Sequence, residues 1–322
     1  MNRLDTLKKW VESYTTTPIV HWCPLVVEAS ARQYYRVQCA RQQYVVMDTP
    51  VDLIPVAPYL NIAKRLDAGG MNVPAIFAVE PAQGFMLLAD FGDKSYQDAL
   101  QFHEPQGLYV TALEALLKMQ ALDDSALVLY DTAFFRREVA ICEEWYFTHH
   151  LNVVLQGEAL QVWEHTIALL LDRITRQPTV FVHRDYHCRN LMWIENPPGI
   201  LDFQDAVKGP ITYDVVSLLR DAYVAWPETF VLELARHYWE QAKKQGLPVP
   251  ADFSAFYQDL EWTGLQRHLK ILGIFARLYY RDGKTHYIKE IPRVLNYIYQ
   301  VTERYKELHD LHALLVHLHK AR

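Results

Sequence analysis

Residues 179–205, TVFVHRDYHCRNLMWIENPPGILDFQD, constrain the fold more than any other part of the chain. Two apolar runs, TVFV and GILDF, are too short for helices and are separated by a polar loop and the turn-forming cluster Asn196-Pro197-Pro198-Gly199. They interrupt much longer stretches in which apolar residues recur every three or four positions. GLYVTALEALLKMQAL, FRREVAICEEWYFTHHL and GEALQVWEHTIALLLDRITRQ precede them, and TYDVVSLLRDAYVAW follows. The pattern predicts a short β-hairpin bearing polar residues, set inside a helical region that continues to the end of the chain.

The beginning of the chain reads differently. Leu4, Leu7, Val11 and Tyr14 at helical spacing predict an N-terminal helix, without the apolar core of a signal peptide. YYRVQCA and QYVVMDT, separated by RQQ, predict a strand pair, as do VPAIFAVE and GFMLLADFG across Pro81 to Gly84. Between the pairs, PVAPYLNIAKRLDAGG predicts a helix closed by glycine. The expected fold class is α+β with two lobes and a cleft: a β-rich lobe over residues 1–91 and a mainly helical one over 92–322.

Composition excludes several functions. A net charge of −6 over 322 residues is not that of a protein tracking nucleic-acid phosphates. Nowhere do about eighteen apolar residues run together, the minimum for a membrane span. The four cysteines are far apart and form no C-x-x-C pair, so neither a zinc site nor a disulfide framework is expected. A cytoplasmic protein fits these features.

Chemistry concentrates in VHRDYHCRN. Asp185 and Asn190 are five residues apart, and Asp202 lies twelve beyond Asn190, at the end of the next apolar run. Such spacing can place one carboxylate beside an acceptor hydroxyl while an amide oxygen and a second carboxylate, both hard ligands, hold Mg²⁺ against nucleotide phosphates. Taken singly, Asp185 reads as a cap or turn residue, Asn190 as a turn residue and Asp202 as a polar strand end. Together, each after its own apolar run, they match the context that H-x-D-x-x-x-x-N requires. Competing readings of the loop are weaker: His183 and His187 lack the glutamate of a zincin pair, and nothing orients Cys188 as a nucleophile.

VHRDYHCRN followed by ILDFQDA resembles the catalytic loop and metal aspartate of aminoglycoside phosphotransferases and related small-molecule kinases, whose fold is protein-kinase-like. The resemblance implies Asp185 as catalytic base, Asn190 and Asp202 as Mg²⁺ ligands, and ATP as phosphoryl donor. It makes His183 structural and Asp214 a brace for the loop; a helix N-cap is the other reading of Asp214. LDFQDAVKGPITYDVVSLLRDAY and QRHLKILGIFARLYYRDGKTHYIKEIPRVLNYI are similar to the bacterial anomeric kinases of N-acetylmuramate and N-acetylglucosamine, as is GFMLLADFGDKSYQDAL. That similarity runs from about residue 25 to 296 and implies phosphorylation of a small amino sugar at C1, in cell-wall sugar recycling; a monomeric or weakly associating protein is expected.

The chain also departs from this pattern. Met47 stands where kinases of this fold carry a phosphate-binding lysine, and the segment before it has no glycine-rich loop. Arg32 and Arg36 could supply the charge, with surface solvation as the alternative, and Ser30 a hydroxyl. Leu88, Ala89, Asp90 and Phe91 bracket the expected adenine-binding link, where Asp90 also reads as a turn residue. For the sugar the candidates are Asp205, Glu144, Trp145 and Arg189; the competing reading of Glu144 and Trp145, an amphipathic helix with a core tryptophan, is slightly favoured by the sequence. Arg189, Arg220, Arg267, Lys270, Arg277 and Arg281 form the pool of cations for a muramate carboxylate. Two alternatives stay open: a kinase for another acceptor, such as an aminoglycoside, an aminoalcohol or another hexose, and a nucleotide-binding pseudokinase.

Overall fold

The computed structural model describes residues 2–25 and 32–320. Packing groups the chain into two units, one of Met1–His103 with Arg189–Asp205, the other of Glu104–Cys188 with Ala206–Arg322.

The first unit is built on an antiparallel sheet of β1 (Ile19–Leu25), β2 (Gln33–Cys39), β3 (Gln43–Asp48), β4 (Ile76–Glu80) and β5 (Phe85–Ala89), in the order β1-β2-β3-β5-β4. Both expected strand pairs are present; β1, whose sequence IVHWCPL carries a proline, is additional. Helix α1 (Arg3–Glu12) is capped by the Asn2 side chain. Its Leu7 and Val11 pack on Val37, Val46, Phe85 and Leu87 from alternate positions of the strands, each burial contributing about 1.5–3 kcal/mol. Helix α2 (Ala57–Ala68) ends at Gly69, and Gly70 takes the left-handed conformation at φ 73° that closes it. After β5 comes the short α3 (Tyr96–Ala99), opened by a capping box between Ser95 and Asp98.

The motif segment folds otherwise than expected. Strand β6 (Thr179–Val182), β7 (Leu191–Met192), β8 (Gly199–Ile200) and β9 (Val207–Pro210) are all present, but TVFV does not pair with GILDF. Instead β7 pairs with β8 across the Asn196–Gly199 turn, while β6 pairs with β9. The reason is local: the turn brings its immediate flanks together first, and only two residues on each side remain to pair. The β7–β8 ribbon belongs to the first unit, tied by Trp193 N to Lys94 O and by Ile200 N to Asn72 O, each 2.7 Å.

The second unit is helical around the β6–β9 pair. It contains α4 (Pro105–Gln120), α5 (Thr132–Ile141), α6 (Gly157–Thr175), α7 (Tyr213–Leu219), α8 (Glu228–Lys244), α9 (Phe253–Tyr280), α10 (Ile291–Arg304) and α11 (His309–Lys320). Two departures from the sequence reading bear on function. α7 stops at Leu219, short of the expected helix to Trp226. CEEWYFTHH is a π-helix, Cys142–His150, with bonds such as Leu151 N to Tyr146 O at 2.9 Å; such wide turns are uncommon and recur at functional sites. α9 runs through the middle of the unit, with 19 of its 28 residues buried, several of them charged. It crosses the α5–π-helix junction at Gly273, where an added Cβ would lie 2.4 Å from the Ile141 carbonyl carbon and 2.5 Å from the Cys142 nitrogen. No helix among the described residues is long and apolar enough to cross a membrane.

Candidate active site

The loop after β6 is gripped through its backbone. Asp214, at the start of α7 and fully buried, accepts hydrogen bonds from His183 N at 2.6 Å and Arg184 N at 3.0 Å. Asp221 accepts from Cys188 N, 2.9 Å, and from Tyr223 N, 2.9 Å. Burial pushes the Asp214 carboxyl up to about 7, against the opposing effect of those two N–H donors and of Arg267. His183 is itself wholly buried, edge-on to Tyr186, whose hydroxyl donates to Ala112 O at 2.8 Å.

Arg184 has φ 79°, a conformation that strains a non-glycine residue by about 1–3 kcal/mol. Three interactions hold it there besides Asp214. Its guanidinium donates to Glu138 Oε1 at 2.7 Å, it lies over the rings of Phe134 and Tyr130, and its carbonyl accepts from Arg267 Nη1 at 2.6 Å. The turned backbone delivers the next residue, Asp185, with 38 % of its side chain exposed.

Asp185 is surrounded by cations. Arg267 Nη1 is 3.7 Å from its Oδ1. Burial disfavours its ionisation, but Lys270, Arg267, His187 and Arg184 together outweigh burial and hold the carboxyl well below the usual carboxylate range. Lys270 is in turn paired with Glu138 at 2.8 Å, and Glu138 stays ionised despite burial because Lys270 and Arg184 face it. The result is an anchored carboxylate favoured in its charged form, placed to accept a proton or orient a hydroxyl.

Asn190 and Asp202 come together in the first unit. The Asn190 amide lies 3.4 Å from Asp202 Oδ2, and Leu201 N donates to Asn190 O at 2.9 Å. Asp202 has φ 62°, and its Oδ1 accepts from Gln204 Nε2 at 2.8 Å. Asp205, three residues on, is exposed. An amide, a carboxylate and a neighbouring carboxylate are the hard oxygen donors that suit Mg²⁺, which takes one or two protein carboxylates and completes its shell with phosphate and water. Among the described residues no group of three or more His, Cys, Asp or Glu could hold a metal by themselves.

The same unit carries most of the residues expected at a nucleotide. Met47 is fully buried in β3, opposite Tyr34 of β2. Burial pushes the Tyr34 hydroxyl up to about 12, with Arg32 opposing and Asp202 reinforcing the shift. Tyr59, whose ring is 4.9 Å from Phe203, feels Arg32 and Asp202 as well. Arg32 and Asp202 therefore share one neighbourhood. Arg36 does not join it: its guanidinium is committed to Asp90, Asp93 and the Gly92 carbonyl. Asp90 thus has a bracing partner, while Leu88 and Ala89 lie on β5 and Phe91 packs on Gly199. Ser30 lies outside the described residues.

Of the residues considered for a sugar, Arg189 donates to Gln97 Oε1 at 2.9 Å. Glu144 and Trp145 project from the π-helix: Glu144 is exposed, and Trp145 is half-buried and stacked on His149, 4.6 Å between ring centres. Trp145 is not a core residue; Trp163 of α6 is. Sequence reading missed Glu138 and Asp221, and placed Arg267 and Lys270 only in a pool of sugar-binding cations. The available signal was charge inside an apolar helical pattern, since a buried ion must be paired.

Comparison with known proteins adds the family. Residues 21–253 match the model of the Phosphotransferase enzyme family. The chain is 43 % identical to the N-acetylmuramate/N-acetylglucosamine kinase of Neisseria meningitidis, covering 99 % of this chain and 96 % of that one. It is 41 % identical to the protein of the same name from Pseudomonas aeruginosa, over 95 % and 91 % of the two chains. Among solved structures, an ADP-bound aminoglycoside phosphotransferase superposes with TM-score 0.61 at 16 % identity, covering 92 % of this chain and 96 % of the other. A choline kinase from Streptococcus pneumoniae does so with TM-score 0.65 at 12 % identity, over 92 % and 99 %. At those identities the superpositions establish the fold, one common to aminoglycoside phosphotransferases and choline kinases. The catalytic-loop pattern, that fold and the full-length relatives agree, and the chain belongs to the phosphotransferase enzyme family.

Proposed function

We propose that the protein transfers the γ-phosphoryl group of ATP to the anomeric C1 hydroxyl of N-acetylmuramate and N-acetylglucosamine. The observation that carries the choice of sugar is identity above 40 % along nearly the whole chain to relatives bearing that name. The ionised, partly exposed Asp185 makes the chemistry workable. Its carboxylate accepts a hydrogen bond from the sugar C1 hydroxyl, aims an oxygen lone pair at the γ-phosphorus, and takes the proton as the new P–O bond forms and the bond to the β–γ bridging oxygen breaks, releasing ADP. Asn190 and Asp202 would hold Mg²⁺, which when bound neutralises phosphate charge. Asp214 and Arg184 act indirectly, by fixing the backbone that presents Asp185.

Arg32 takes the part of the lysine that Met47 replaces. It is the cation that shares surroundings with Asp202, whereas Arg36 is consumed by two aspartates. Arg32→Ala should raise the KM for ATP about ten- to hundredfold, the worth of one charge-assisted hydrogen bond, as read in initial-rate kinetics at saturating sugar. An unchanged KM would remove Arg32 from the nucleotide site.

Incubation with Mg-ATP and a panel of hexosamines, hexoses, choline and aminoglycosides, followed by ³¹P NMR, tests the activity. A sugar 1-phosphate from the two N-acetylated sugars is the expected product. Turnover of another acceptor with none of any hexosamine would transfer the reading to that acceptor.

A further inference from the structure

Arg267, Lys270 and Arg277 of α9 and Arg281, its C-cap, follow one another at steps of three, seven and four residues, which keeps all four on one helix face. Arg267 and Lys270, only 4 % and 6 % exposed, flank Asp185. Arg277 is half-buried and Arg281 exposed, so the cationic stripe surfaces as it leaves Asp185.

Three of these cations have anionic partners: Arg267 has Asp185, Lys270 has Glu138, and Arg281 has Asp282 at 2.6 Å. The Arg277 guanidinium makes neither hydrogen bond nor ion pair among the described residues, and its Nε is shielded from solvent without an acceptor. Burial and the like charge of Arg281 work against its ionisation more than Asp282 and Glu144 support it. A partly desolvated guanidinium left in this state has its fork of donors available to a carboxylate.

Position supports the same conclusion. α5 and its π-helical continuation meet α9 at residues that advance in step along both, with Glu138 at Lys270, Ile141 at Gly273 and Glu144 beside Arg277. Arg277 is about two helical turns, roughly 10 Å, beyond Lys270. Long helical side chains lean back toward the N-terminus, here toward Lys270 and Asp185. With its C1 hydroxyl at Asp185, an N-acetylmuramate ring places its lactyl carboxylate about one sugar ring away.

We propose that Arg277 is the receptor for that carboxylate and sets the preference for the acidic over the neutral amino sugar. The assignment rests on the hexosamine kinase activity proposed above. Its test is the ratio of kcat/KM for N-acetylmuramate to that for N-acetylglucosamine, measured on one preparation so that any loss of folded protein cancels. Arg277→Ala should lower this ratio about ten- to hundredfold, chiefly through KM for the acidic sugar. Arg277→Lys should keep part of the preference, and Arg277→Glu should lower it further. A ratio that stays at the wild-type value in the Ala and Glu variants, or an equal loss on both sugars, would overturn the assignment while leaving the kinase reading intact. Wild-type protein that turns over neither sugar would overturn both.

Discussion

Asp185→Asn should lower kcat by about 10²- to 10⁴-fold, the usual contribution of a positioned base, with little change in melting temperature. Asparagine is nearly isosteric and Asp185 N keeps its bond to His183 Nδ1, so the loop survives while the charge does not. The amide can still accept a hydrogen bond from the sugar hydroxyl but cannot take its proton. Turnover unchanged from wild type in a coupled ADP-release assay would remove Asp185 from the chemistry.

The cations around Asp185 add a pH signature. A carboxyl held below its ordinary range is deprotonated at every pH above about 4. Asp185 therefore contributes no acid limb to kcat/KM as pH falls from about 8 to 5. Arg267→Met withdraws one of the opposing charges and leaves burial less opposed, so the Asp185 pKa rises and activity should decline as pH is lowered through it. An unshifted profile in that variant would separate Arg267 from the state of Asp185.

Gly273→Ala should destabilise the protein by about 2 kcal/mol or more, although alanine is favoured over glycine within a helix by roughly 1 kcal/mol. The new methyl would meet backbone atoms of Ile141 and Cys142 at 2.4–2.5 Å, and backbone cannot rotate out of the way. α9 would have to move off α5, drawing Lys270 from Glu138 and Arg267 from Asp185, so kcat should fall together with stability. Gly264→Ala in the same helix is the control. Its nearest obstacle is the Val216 Cγ2 methyl at 2.8 Å, a side-chain atom that can shift. Urea denaturation of the two variants should rank Gly273→Ala clearly below Gly264→Ala; equal stability would show that the crossing is looser than these contacts imply.

The two strand pairs and the helical second half were legible because a side chain's preference for one face repeats every two residues in a strand and about every 3.6 in a helix. The same local logic failed where partners were chosen at a distance. TVFV and GILDF both read as strands, but β6 took β9 as its neighbour and GILDF kept only two paired residues. CEEWYFTHH has ordinary helical periodicity, and nothing in it announces a π-helix. Trp145 and Trp163 look alike as letters; only packing made one a half-exposed stacking surface and the other a core residue.

For the site, the spacing of Asp185, Asn190 and Asp202 was visible along the chain because a short loop and a tight turn fix their order. The state of Asp185 was not. Besides Arg184 and His187 of the loop, the cations that set it come from α9, and Glu138 of α5 holds two of them in place; Glu138 lies 46 residues before Arg184 and Arg267 83 residues after it. A carboxylate's charge depends on which cations share its low-dielectric surroundings, and Coulomb energy follows distance in space rather than along the chain. Sequence alone thus picked out the side chains proposed to carry the chemistry. Tertiary structure decided which buried cations surround Asp185, and it left the half-buried Arg277 without a hydrogen bond or ion pair among the described residues.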